Sequence, residues 1–278
     1  MKFKLLATAA LFATTIGMAN ATVAISSAGG DLKAWINPAG NFDDTAAGML
    51  QYKGTEYISL GAPSSWYWFD ESGNSHIENY NSNPFGANTY AVGPGAAATT
   101  IASGGWSFSQ VINAVSENKL TVTLNVTNNT GADATRAAWT IGFDPDQGVP
   151  QGLGNSTHNK ILDQGNNAAV SAWAGNRGVT LQNDTSASAH AISAYINKGD
   201  CCSPVNPHSA LLANQAVGTS TFADDSINLA YDLGTIKAGQ TVSIGYSYVM
   251  AVPEPQTYAL MLAGLGAIGW LSARRRRG

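Results

Sequence analysis

Two acidic residues, Asp144 and Asp146, follow the end of a predicted strand in the sequence DPDQG. Two carboxylates one residue apart beside a glycine can supply the oxygen ligands that Ca²⁺ prefers. The spacing departs from an EF-hand loop, because the glycine comes one place early and Asn155 stands where a bidentate glutamate is expected. A polar turn is the competing interpretation. Asp224-Asp225 and Asp43-Asp44 are weaker candidates for the same chemistry, and calcium is the one cofactor that the sequence suggests.

The two cysteines of the chain, Cys201 and Cys202, are adjacent. Three states compete: a vicinal disulfide that stiffens the Gly199–Pro207 loop, an intermolecular link, or two free thiols. An oxidising, exported location favours a disulfide. Adjacency favours closure within one chain, so we expect the vicinal bond.

The run Trp66-Tyr67-Trp68-Phe69 supports two interpretations. Exposed rings at Trp66 and Trp68 could stack on sugars, with neighbouring acids and amides supplying hydrogen bonds. Alternatively, the alternate members are core residues of a strand, which is the favoured interpretation because large aromatic side chains are usually buried.

Common catalytic motifs do not occur in the sequence. There is no Gly-x-Ser-x-Gly, no His-Glu-x-x-His and no phosphate-binding glycine loop with lysine. The four histidines, His76, His158, His190 and His208, are far apart along the chain. We therefore expect no enzyme. A secreted hydrolase would become the better interpretation if folding placed two carboxylates about 5 to 10 Å apart in a cleft.

The elements that must position these residues are strands. Strict alternation over Leu120–Thr127 and again over Ala137–Phe143 predicts an antiparallel hairpin. Ile227–Leu233 and Val242–Tyr248, joined by a short turn, predict a second one. Weaker strands are predicted at Val23–Ser26, Leu32–Ile36, Glu56–Leu60, Trp106–Ile112, Val179–Gln182 and His190–Ile196.

Short strands separated by Gly, Asn and Pro predict an all-β, antiparallel, sandwich-like body without long helices. Pro63–Ala98 and Gln147–Asn167 are expected to be long loops, where function commonly resides.

Charged residues make up only 12% of the chain. Residues 22–252 hold eight basic and 17 acidic residues, a net charge of −9. This acidic body excludes nucleic acid as the expected partner.

The N-terminus has the pattern of a signal peptide. Lys2 and Lys4 precede the apolar stretch Leu5–Ile16, and Ala19-Asn20-Ala21 presents small residues to signal peptidase. Cleavage between Ala21 and Thr22 is expected, because the apolar stretch is too short for a membrane anchor.

The C-terminus combines a proline-bounded triplet, an apolar run and a basic tail. Pro253-Glu254-Pro255 precedes 17 apolar or small residues, Thr257–Ala273, which could form a transmembrane helix of about 25 Å. Four basic residues follow, which should remain in the cytoplasm: Arg274, Arg275, Arg276 and Arg277. The order resembles the PEP-CTERM sorting signal of Gram-negative bacteria. The resemblance implies cleavage near the triplet by an exosortase, and a setting rich in extracellular polysaccharide.

We therefore divide the chain into a signal peptide (1–21), an exported β domain (22–250) and a sorting and anchor segment (251–278). The expected function is that of a cell-surface or matrix protein, structural or associated with exopolysaccharide. It would be held briefly in the inner membrane and then sorted to the outside. A carbohydrate- or Ca²⁺-binding module is the alternative, and a secreted hydrolase the second.

Overall fold

The computed structural model describes residues 22–43, 48–58, 65–69, 75–78, 89–93, 95–185, 191–203 and 205–251. The predicted signal peptide and the predicted transmembrane helix lie outside these residues. The described part forms three antiparallel sheets, so the predicted all-β antiparallel class is confirmed. The strands are β1 (Val23–Ser26), β2 (Leu32–Ile36), β3 (Leu50–Tyr52), β4 (Thr55–Glu56), β5 (Ser65–Phe69), β6 (Ser75–Glu78), β7 (Thr89–Gly93), β8 (Ala96–Ser103), β9 (Trp106–Ser116), β10 (Lys119–Asn128), β11 (Ala134–Phe143), β12 (Thr157–Asp163), β13 (Ala169–Ala174), β14 (Arg177–Asn183), β15 (Ile192–Asn197), β16 (Ser220–Ala223), β17 (Ser226–Ile236) and β18 (Thr241–Ala251).

Strand order shows that the chain repeatedly changes sheet. The largest sheet has nine strands in the order β16-β12-β13-β14-β18-β10-β9-β8-β7. A second sheet has the order β15-β17-β11-β5-β6, and a third the order β1-β2-β3-β4. The described part contains one short α-helix, α1 (Pro207–Ala213), and two 3-10 helices, Val149–Gln151 and Gly165–Asn167. Proline suits the first turn of α1, and the Asn206 side chain accepts hydrogen bonds from the amides of His208 and Ser209.

The core lies between the nine- and five-stranded sheets. The ring of Trp68 on β5 lies 4.6 Å from that of Trp106 and 5.4 Å from that of Phe108, both on β9. The small sheet adds to the same core, since the ring of Phe42, just beyond β2, lies 5.0 Å from that of Tyr248 on β18. Period-two alternation places one face of each central strand in this layer.

Both predicted hairpins are wrong. β10 pairs with β9 and β18, whereas β11 pairs with β5 and β17, so β10 and β11 belong to opposite sheets. β17 and β18 are separated in the same way. Alternation predicts one buried face, and two strands that face each other across a core satisfy it as well as two paired neighbours do.

Asn128 stabilises both segments in which the chain passes between the two large sheets, from β10 to β11 and from β17 to β18. Its Nδ2 donates to the carbonyl oxygens of Ala132, at 2.7 Å, and Ile236, at 2.8 Å. Its backbone carbonyl accepts from the amide of Gly239, at 2.7 Å. One buried amide side chain thus stabilises the chain segments before β11 and after β17.

The two predicted long loops contain strands. Pro63–Ala98 includes β5, β6, β7 and the start of β8, and Gln147–Asn167 includes β12. Their short strands and high content of Ser, Asn and Gly weaken the alternation that marks a strand. Among the helices in the described ranges, none has the length and apolar character needed to span a bilayer.

Candidate functional site

Strand pairing brings three loops together at one end of the five-stranded sheet. Phe143, the last residue of β11, is paired with Ile227 of β17, and Asn197 at the end of β15 is paired with Ser226. The segments after β11, after β15 and before β17 must therefore meet. They carry Asp144-Pro145-Asp146, Cys201-Cys202 and Asp224-Asp225.

Three carboxylates converge there, those of Asp144, Asp146 and Asp224. One oxygen of each lies within 4.8 Å of one oxygen of the other two. Asp144 and Asp146 are each only 4% exposed. The Oδ1 atoms of all three are buried and make no hydrogen bond within the described part of the protein. We refer to these three residues as the acidic cluster.

Burial and mutual repulsion make the acidic cluster hard to ionise. Desolvation, followed by the charges of Asp146 and Asp224, raises the pKa of Asp144 to about 8. Desolvation and the charge of Asp224 raise the pKa of Asp146 to about 6. Desolvation and Asp225 raise the pKa of Asp224. Within the described ranges, no lysine, arginine or histidine forms an ion pair with these carboxylates.

The loop after β11 is fixed to the other sheet by two glutamine side chains. The Nε2 of Gln147 donates to the carbonyl oxygen of Ala172 on β13, at 3.2 Å, and the Nε2 of Gln151 donates to that of Ala174, at 2.9 Å. A Cβ at Gly148 would collide with the carbonyl oxygen of Gly154, so the close return of this loop requires glycine.

Asp225 and Asn155 flank the acidic cluster, the first as a further carboxylate and the second as an amide that donates to Asp224. The side chain of Asn155 is hydrogen-bonded to Asp224 and lowers its pKa, against the larger effect of burial. The Oδ1 of Asp225 accepts from the amide of Gly199, at 2.7 Å. Its Oδ2 is buried without a hydrogen-bond partner among the described residues.

In the structure, Cys201 and Cys202 are bonded to each other beside this site. The Sγ of Cys202 lies 3.7 Å from Oδ2 of Asp144. A disulfide sulfur carries no proton, so this is a packing contact and not a hydrogen bond. The Oδ1 of Asp200 accepts from the amides of Cys202 and Ser203, both at 3.0 Å, which stabilises the turn of the disulfide loop.

This chemistry matches a hard divalent cation better than a catalytic dyad. Converging carboxylate oxygens are the ligands that Ca²⁺ and Mg²⁺ select, and a cation would supply the missing positive charge. The proximity that would have favoured a hydrolase is present. However, Asp144 and Asp146 are almost fully buried, and neither of the two described surface depressions is lined by them.

The sequence identified part of this site. It drew attention to Asp144 and Asp146, and it ranked Asp224-Asp225 lower because nothing local connects the two pairs. The missing signal was the pairing of β11 with β17. Asp43 is not part of the cluster and accepts a hydrogen bond from Thr22, whereas Asp44 lies outside the described residues.

The suggested sugar-stacking role of Trp68 is wrong. Its ring is 0% exposed and packs on Trp106 and Phe108, so neither face is available to a ligand. The competing interpretation, a core strand, holds for Trp68. The side chain of Trp66 lies outside the described part.

Apart from Thr22, the residues predicted to direct export and sorting lie outside the described part of the chain. At the N-terminal cleavage site this applies to Ala21, whereas Thr22 is the first described residue. In the C-terminal sorting signal it applies to Pro253, Glu254, Pro255, Arg274, Arg275, Arg276 and Arg277. The roles assigned to these residues from the sequence therefore depend on the motif and not on the fold.

Comparison with known proteins identifies the C-terminal segment. Residues 251–277 match the PEP-CTERM protein-sorting motif, and this range includes the triplet and all four arginines. No curated protein sequence is detectably similar to the chain.

Solved structures give only distant likenesses. Heparan sulfate lyase HepC from Pedobacter heparinus is 9% identical, with a TM-score of 0.39 over 81% of this chain and 30% of its own. A heparinase III is 8% identical, with a TM-score of 0.41 over 84% of this chain and 35% of its own. The chain thus spans about a third of the length of these proteins. Likenesses at this level carry no functional argument.

Proposed function

Because the chain carries a PEP-CTERM sorting motif, we propose that it is an exosortase-sorted surface protein whose β body binds one Ca²⁺ ion in the acidic cluster. The observation that carries the metal-binding part is the convergence of three carboxylates, two of them almost fully buried, without a neighbouring cation among the described residues. The motif itself implies export, membrane-associated sorting to the surface, and an exosortase as processing partner.

Electrostatics support a bound cation. Carboxylates held this close repel one another, and burial removes the water that would screen them. The free protein avoids the repulsion only by keeping protons on its acids, as the raised pKa of Asp144 indicates. A divalent ion replaces those protons and satisfies the unpartnered oxygens at the same time.

Calcium is preferred over magnesium because the available oxygens are held by three separate loops. Ca²⁺ accepts irregular sets of six to eight oxygens, whereas Mg²⁺ requires near-ideal octahedral geometry. Sites in extracellular proteins commonly bind Ca²⁺ with dissociation constants of about 10⁻⁴ to 10⁻³ M. A metal bound after export would therefore stabilise the body where it functions.

The finer steps of the route are also part of this proposal. Signal peptidase removes residues 1–21, a helix near 257–273 anchors the body in the inner membrane, and processing near Pro253-Glu254-Pro255 follows. The exported body then serves as a structural or exopolysaccharide-associated protein at the cell surface. The composition supports this role, since the body has few charged residues and a net negative charge.

Thermal unfolding of the full chain in detergent micelles tests the metal site. At a Ca²⁺ concentration about 100-fold above the dissociation constant, the midpoint should rise by about 5 to 10 °C relative to chelator. Mg²⁺ should give a smaller rise. An Asp224→Asn variant should lose most of the Ca²⁺ effect, and Asp163→Asn, which changes an exposed carboxylate at the far end of β12, should keep it. Equal midpoints in Ca²⁺ and chelator would exclude the site.

A further inference from the structure

A row of three rings crosses the outer face of the nine-stranded sheet at its edge. His158 on β12 is paired with Phe222 on the edge strand β16 and with Trp173 on β13. Directly paired residues point to the same face of a sheet, so the three side chains are neighbours. Trp173 is in turn paired with Gly178, which has no side chain to cover it. We call Phe222, His158 and Trp173 the aromatic row.

The rings stand as a stack on the sheet surface. The centroids of His158 and Trp173 are 5.3 Å apart with planes 18° from parallel, and those of His158 and Phe222 are 4.4 Å apart at 33°. Phe222 is 64% exposed although it is a large apolar side chain. A shallow groove of about 450 Å³ runs along the stack. The outward surface of these rings is therefore not buried by packing within the described part of the protein.

Polar groups line the groove beside the rings. Lys160 and Ser220 are paired with each other, and each lies two residues from a member of the aromatic row, on the same face. Lys160 is also paired with Ser171 on β13. Aromatic surface flanked by hydroxyl and ammonium groups, and not by aliphatic side chains, suits a ligand with alternating apolar faces and hydroxyl edges.

We infer that the aromatic row is a binding site for a polysaccharide chain of pyranose units. The C–H face of a sugar ring packs on Phe222 and on the outer part of Trp173. Hydroxyl groups of the same or the next unit bind Lys160 and the serines. Lys160 is the charged residue that lines the groove, and it also complements a carboxylate on a uronic-acid unit. The open edge of the sheet at β16 leaves room for a chain to extend past the protein.

This inference stands apart from the calcium proposal, because none of its residues belongs to the acidic cluster. It takes only its extracellular setting from the proposed function. Binding measured on the purified protein therefore does not depend on sorting. Carrying out the assay in both Ca²⁺ and chelator separates the failure of one proposal from the failure of the other.

Affinity electrophoresis of the full chain, in a detergent without a sugar headgroup, tests the site. Native gels contain hydroxyethylcellulose, a neutral β-glucan, or polygalacturonate, an anionic uronate polymer. We expect retardation in at least one gel, and an apparent dissociation constant about tenfold higher for Phe222→Ala, equivalent to loss of about 1.4 kcal/mol. Phe222→Tyr should retain binding because it keeps the ring. Leu212→Ala changes another exposed apolar residue, on α1, and should bind like the native chain.

A variant of Lys160 tests whether its ammonium group binds the carboxylate of a uronic-acid unit. Lys160→Gln should weaken binding to polygalacturonate more than binding to hydroxyethylcellulose. No retardation in either gel overturns the inference, as does retardation that Phe222→Ala and Trp173→Ala leave unchanged.

Sedimentation of the same samples examines self-association. If the native chain dimerises and Phe222→Ala abolishes the dimer, the row is a contact between copies and the sugar-binding assignment is wrong.

Discussion

Replacing Asp144 by asparagine should stabilise the protein in chelator and reduce the stabilisation that Ca²⁺ gives. A carboxyl group with a raised pKa keeps, in the folded state, a proton that the unfolded chain has released. Between the ordinary value of 3.8 and the raised value of about 8 for Asp144, stability without metal therefore falls as the pH rises. Asparagine does not titrate, so Asp144→Asn removes this loss.

The size of the effect follows from the pKa. At about 1.36 kcal/mol for each pH unit between the two values, the penalty from Asp144 is close to zero near pH 4 and reaches about 4 kcal/mol near pH 7. Asp144→Asn should thus gain up to about 4 kcal/mol over the native protein at neutral pH in chelator, and almost nothing in acid. In Ca²⁺ the advantage of Asp144→Asn should shrink by up to about 2.7 kcal/mol at 100 times the dissociation constant, because only the protein that keeps all its carboxylate ligands gains the full binding free energy.

Urea unfolding at several pH values, with chelator and with Ca²⁺, measures these differences. Asp163→Asn is the control, since its exposed carboxylate accepts from the amide of Gln164 and lies outside the acidic cluster. If Asp144→Asn is no more stable than the native chain at neutral pH in chelator, the repulsion among the carboxylates is absent. If Ca²⁺ stabilises both proteins equally, Asp144 is not a ligand.

Four other predictions concern sorting, the disulfide and the core. Replacing Pro253-Glu254-Pro255 by three alanines should leave an uncleaved, membrane-bound product of full C-terminal length; intact-mass measurement would show a trimmed product if the triplet were dispensable. Alkylation and mass spectrometry under non-reducing conditions should find Cys201 and Cys202 joined, whereas two alkylated thiols or a linked dimer would reject the vicinal bond. Changing both cysteines to serine should alter the free energy of unfolding by less than about 1 kcal/mol, because so small a ring restrains little chain entropy. Trp68→Ala should cost about 3 to 5 kcal/mol through the cavity it leaves, and Phe222→Ala far less because its ring is exposed; similar losses in urea unfolding would contradict the burial of Trp68.

Individual strands could be predicted from the sequence where alternation was strict, but their pairing could not. Leu120–Thr127 lies within β10 and Ala137–Phe143 within β11, yet they entered different sheets. A period-two pattern records that one face is buried and contains no information on which strand lies alongside.

The same limit explains the candidate sites. Asp144 and Asp146 are adjacent in sequence and were therefore visible, whereas Asp224 joins them only through the β11–β17 register. The aromatic row was missed because Trp173, His158 and Phe222 lie on three different strands, none of which was predicted from the sequence. A site assembled across strands leaves no local spacing to detect.

The stoichiometry of bound calcium tests the central claim most directly. Native mass spectrometry of the full chain, released from detergent in millimolar Ca²⁺, should show one calcium ion per chain. A variant that combines Asp146→Asn with Asp224→Asn should show none, and Asp163→Asn should still show one. A native chain that carries no calcium, or a double variant that still binds one ion, would contradict a cation site in the acidic cluster.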